Sequence, residues 1–176
     1  MGAAAITIIV AFFLRQKGLL SDKHVTREHF HDLGKLMFAF VFFWGYIAFS
    51  QYMLIWYANV PEETLWFAHR KQGDWAYVSR FLVVGHFIVP FLGLMSRHIK
   101  RRLGFLVAWA VYLLFAHWVD MYWLVMPNVD HHHVPWNVMD LTLFVGIGGL
   151  FFASIAYFAR GRRVIPLNDP RLPESL

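Results

Sequence analysis

The chain has 176 residues, 59% of them apolar and 15% charged, with 18 Phe, 8 Trp and a net charge of +5. Soluble domains run nearer roughly 45–50% and 25%, so these figures, with a mean hydropathy of +0.47, exclude a water-soluble globule, a disordered chain and a coiled-coil rod. There is no Cys, which excludes disulfides, thiolate-bound zinc, iron–sulfur clusters and thioether-linked haem carried by this chain.

A bilayer's hydrocarbon core takes about 20 helical residues to cross. In chain order, residues 2–14 come first, apolar but reaching only about 20 Å. They read as the end of a helix that begins elsewhere, not as a secretory signal, because no basic segment precedes them. Four full spans follow, 33–58, 75–95, 103–126 and 137–158. The expectation is an all-α integral membrane bundle, one transmembrane domain over 1–176 with four full spans and one partial span. Between the first two spans, Asn59-Val60-Pro61-Glu62-Glu63-Thr64 reads as an N-cap, a first-turn Pro and acidic residues at a helix start. Leu65, Trp66 and Phe67 would then lie in the membrane interface. Gly146, Gly148, Gly149 and Ala153 on the last span would admit a closely packed helix.

The basic residues set an orientation. Arg15, Lys17, Lys23, Arg27 and Lys35 fall on the same side as Arg97, Lys100, Arg101 and Arg102, and as Arg160, Arg162, Arg163 and Arg171. That is 13 of 16; only Arg70, Lys71 and Arg80 lie opposite. The positive charge therefore reads as a membrane signal and not a nucleic-acid one. It places the C-terminus on the cytoplasmic side of the membrane, and the loops 59–74 and 127–136 outside.

Ionisable groups in hydrocarbon cost about 2.5–3.5 kcal/mol on insertion scales, so each needs a reason. His86 falls about 16 Å and His117 about 13 Å from the outer ends of their spans, hence at one level. Asp120 is one turn nearer the surface on the helix side of His117. Ser50 and Gln51 fall at about 10–12 Å, and Asp140 and Thr142 continue the polar line outward. Toward the other face only Tyr46, Tyr112, Ser154 and Tyr157 interrupt the apolar spans. Pro90, four residues after His86, is expected to kink its helix and free the His86 carbonyl. Three readings fit: a proton relay, a quinone pocket, and axial ligation of a b-type haem. Beside them stands a scaffold whose polar pairs only fix helix packing. The run Asp130-His131-His132-His133 reads as a solvated loop in preference to a metal site, because adjacent histidines do not converge on one point.

Two segments carry a resemblance. Ser50-Gln51-Tyr52-Met53-Leu54-Ile55-Trp56-Tyr57-Ala58-Asn59, continuing through Pro61-Glu62-Glu63-Thr64, is one. Asp120-Met121-Tyr122-Trp123-Leu124-Val125-Met126-Pro127, followed by Asp140 and the Gly-rich last span, is the other. Together they resemble the second large membrane subunit of bacterial alternative complex III, a quinol:electron-acceptor oxidoreductase, over the C-terminal half of that subunit. The family subunit is similar to polysulfide-reductase-type membrane anchors. The resemblance implies a non-redox-centre subunit with no independent activity, working beside other membrane subunits and iron–sulfur and c-type haem subunits. It implies no cofactor bound by this chain alone, with quinone or quinol as the candidate ligand. It also implies a polar half-channel through Ser50, Gln51, His86, His117, Asp120 and Asp140, and no catalytic or metal-binding residue.

Overall fold

The computed structural model describes residues 1–20, 25–130, 132–135 and 137–161. Every regular element among them is helical. The helices are α1 (Gly2–Gln16), α2 (Arg27–Ala58), α3 (Pro61–Arg70), α4 (Trp75–Met95), α5 (Arg97–Arg101), α6 (Leu103–Val125) and α7 (Val138–Ala159). Four of them, α2, α4, α6 and α7, are long and apolar enough to cross a membrane, the third continuing through a short 3-10 turn to Asn128. Residues 1–134 and 135–176 form two compact units. In the first, α1 packs on α6 and α2, and α4 lies against α2 and α6. Ala5, Ile8, Met37, Val41, Leu94, Leu106 and Ala110 form the buried core they share. The second unit carries α7, started by Asn137, whose side chain accepts from the Met139 N–H at 3.1 Å. It holds no second helix among its described residues, so the glycines of α7 have no helical neighbour within their own unit.

The helix ends have identifiable causes. At the start of α2 the His29 ring accepts the Thr26 backbone N–H at 3.2 Å, satisfying a donor that the helix itself leaves orphaned. At its other end Asn59 adopts a left-handed conformation, φ 51°, the stop geometry that Asn tolerates better than most side chains. Asn59 therefore closes α2, contrary to the expectation that it caps α3; Val60 occupies that position, while Pro61 opens α3 with Glu62 and Glu63 in its first turn, as expected.

α4 is not a uniform α-helix. Leu82–Ile88 is a π-helix, in which the Val89 N–H reaches back five residues to the Val84 carbonyl. Pro90 has no N–H to offer, and in this wider register the partner it fails to supply is Gly85. The Tyr112 hydroxyl donates to the Gly85 carbonyl at 2.7 Å instead. The Gly85 carbonyl that Pro90 leaves free in this register is thus taken up by a neighbouring helix. Tyr112→Phe would leave that carbonyl unmet, and a loss of about 1–2 kcal/mol is expected, read as a lower unfolding temperature in detergent.

Candidate functional site

The π segment places His86 on the inner side of α4, fully buried. Such segments recur at functional positions because the extra residue re-aims a side chain. Gly45 on α2 permits the approach: a Cβ there would lie 2.3 Å from the Phe87 ring. With α2 and α4 in contact at that level, the residues beside them, Trp44 and His86, meet ring to ring at 4.2 Å and 61°.

Trp44 joins two of the polar groups. Its indole N–H donates to Asp120 Oδ2 at 3.0 Å while its ring packs on His86. Asp120 is buried on α6, and His117, one turn earlier on that helix, stands 6.4 Å from His86 between ring centroids. Neither ring nitrogen of His86 has a hydrogen-bond partner among the described residues, and Nδ1 of His117 has none either. Both His86 nitrogens are buried, so the imidazole is held where it cannot reach bulk water directly. Buried polar groups are ordinarily satisfied, so three nitrogens without a partner in one cluster among the described residues are unusual. At that separation the two rings are beyond direct hydrogen-bond reach of one another. Chemically, the cluster offers two titratable imidazoles and a carboxylate in apolar surroundings, the parts needed to take up and hand on a proton.

The remaining expected positions distribute differently. Gln51 is exposed on α2 and lies outside the buried cluster, and Ser50 is half-buried, about 9 Å along the helix axis from Trp44. Gln51, seven residues after Trp44, returns to nearly the same face of α2 two turns nearer the helix end, and is exposed there. Asp140 belongs to the other unit, in the first turn of α7, where a carboxylate suits the positive helix end. Thr142 Oγ1 donates to the Met139 carbonyl at 2.9 Å. Trp44 escaped the sequence reading because an indole on an apolar span has no periodic signature that separates it from core packing.

Arg70 escaped it too. Counted only as a loop charge, it is 1% exposed and ties the end of α6 to α3. NH2 donates to the Leu124 carbonyl at 2.8 Å, Nε to the Trp123 carbonyl at 3.3 Å and NH1 to the Trp66 carbonyl at 2.8 Å. The guanidinium lies 3.6 Å over the Trp66 ring and 5.2 Å from that of Trp123. Burial pushes its pKa down to about 10, still protonated at neutral pH. A cation on carbonyls at a helix C-terminus complements the dipole. Ser79 completes the corner, donating to the Arg70 carbonyl at 2.7 Å and accepting from the Trp123 indole at 2.8 Å.

The His-rich loop docks on the start of α4. Asp130 Oδ1 accepts the backbone N–H groups of His132 and His133 at 2.9 and 3.0 Å, which holds its carboxyl below the usual range. The Trp75 indole donates to the Asp130 carbonyl at 2.9 Å, and the Asp74 N–H to the His132 carbonyl at 3.1 Å. Gly73, with φ 56°, is required here, since a Cβ would fall 2.2 Å from the His132 carbonyl oxygen. No group of three or more metal-capable side chains occurs among the described residues; His131 lies outside them. No protein-family model matches the chain, and no curated protein matches it either.

Proposed function

We propose that this chain is a membrane subunit of a respiratory quinol:electron-acceptor oxidoreductase of the alternative complex III type, in which the Trp44–His86–His117–Asp120 cluster handles protons. The observation that carries this is the burial of His86 with both ring nitrogens unmet, beside a second imidazole and a carboxylate. The charge distribution supports a cytoplasmic C-terminus and a cluster nearer the outer face, and the resemblance supports a bacterial cytoplasmic membrane. In this reading His86 and His117 exchange a proton through a water, and Asp120, steadied by the Trp44 N–H, accepts or supplies it on the surface side. Partner subunits carry the iron–sulfur and c-type haem centres, and the quinol redox step belongs to the assembly. A quinone head in place of water would meet the same imidazoles. Haem ligation is disfavoured by the crowding, because Trp44 covers His86 and the α1 backbone at Gly2 lies against the His117 ring.

Asp120→Asn in the intact assembly tests the reading. Asn keeps an acceptor for the Trp44 N–H but does not titrate, so quinol turnover is expected to fall at least about tenfold, against about 10²–10⁴-fold for a group that transfers the reacting proton itself, and its pH response to flatten. If Asp120 only fixes packing, the variant will lower the yield of assembled complex and leave turnover per complex unchanged.

A further inference from the structure

A separate feature lies where α2 ends. Tyr52, Ile55 and Trp56 of α2, with Thr64 and Phe67 of α3 and the adjoining Lys71, line a groove of about 170 Å³. Its polar end is built from two side chains: Lys71 Nζ donates to the Tyr52 hydroxyl oxygen at 2.8 Å and sits 4.7 Å over that ring. Phe67 packs edge-on against Tyr52 at 5.1 Å, so the phenol ring has both the lysine and an apolar ring as neighbours. An ammonium has three N–H donors. One is used on Tyr52, whose own O–H remains to donate, so three donors converge at the mouth of an apolar slot. The Thr64 hydroxyl is turned away, donating to the Pro61 carbonyl at 3.1 Å. Glu62 and Glu63 stand at the opposite end of α3, about 12 Å from Lys71 along the helix.

The level in the membrane is also given. The groove lies at the end of a spanning helix, where Trp56 and Tyr57 are 63% and 87% exposed, as expected of rings in the headgroup region. A ligand here must be rich in acceptors and negatively charged at one end and apolar at the other. We infer that the groove binds an anionic phospholipid, its phosphodiester on Lys71 and the Tyr52 hydroxyl and its first acyl carbons along Ile55, Trp56 and Phe67.

The test is native mass spectrometry of the full chain released from detergent. It is presented with phosphatidylglycerol or phosphatidylcholine of identical acyl chains, as wild type, Lys71→Gln, Tyr52→Phe and Arg80→Gln. Arg80 is a suitable control, an exposed cation over another ring, Tyr77, at 5.2 Å. Wild type and Arg80→Gln are expected to retain one phosphatidylglycerol at least tenfold more strongly than phosphatidylcholine. Lys71→Gln should abolish the preference and Tyr52→Phe weaken it. The inference is overturned if Lys71→Gln retains the lipid as wild type does, or if Arg80→Gln loses it equally. It is also overturned if inorganic phosphate or a short-chain quinone displaces the lipid at equal concentration.

Discussion

Arg70→Ala is expected to destabilise the bundle by about 3 kcal/mol, since one buried guanidinium serves three main-chain carbonyls and each carbonyl left without a donor costs about 1–3 kcal/mol if water cannot reach it. The side chain also fills the space between Trp66 and Trp123, so truncation removes packing along with charge. Arg70→Lys should recover only part of the loss, because a single ammonium cannot match a planar fork aimed at carbonyls on two helices. Thermal unfolding in detergent reads both variants. An alanine variant that melts with the wild type would mean that α3 is not fastened to α6 through this residue.

His86→Leu separates stability from function. The imidazole has no protein hydrogen bond to lose among the described residues, and leucine replaces it with an apolar side chain of similar size. The unfolding temperature is therefore expected to hold or rise, by the equivalent of up to about 1–3 kcal/mol, the cost of an unmet buried polar group. Turnover of the assembled complex should fall at least about tenfold. A variant that loses stability and keeps its turnover would identify His86 as a packing residue.

The spans were legible from sequence because apolar length alone specifies them: three of the four agree with the helices to within a residue or two. α2 is the exception, beginning at Arg27 and not at 33. Hydropathy measures the part that suits hydrocarbon, whereas the helix continues through the polar turn of Arg27–Asp32, where Glu28 pairs with Arg101 at 3.0 Å. The shared level of His86 and His117 could be read by counting residues at 1.5 Å each, and their ring centroids do lie 6.4 Å apart. What counting could not supply was which neighbouring side chains stand opposite at each depth. Gln51 shares the face of Trp44 two turns nearer the helix end and is exposed, while Trp44, with no ionisable group to draw notice, is the residue that touches both His86 and Asp120. The π register of α4 was hidden for a related reason. Pro90 signals a missing donor but not how the ladder closes around it, and Tyr112, which meets the Gly85 carbonyl, lies 22 residues further on.

The most direct measurement is a density map of the intact assembly, fine enough to show ordered water around His86. The expected result is a water, or a chain of them, within hydrogen-bond distance of a His86 ring nitrogen, bridging toward His117 and continuing past Asp120 to one membrane face. Carbon packed against both nitrogens, with no water between the two imidazoles, would contradict a proton-handling role and leave the cluster as a helix-packing contact.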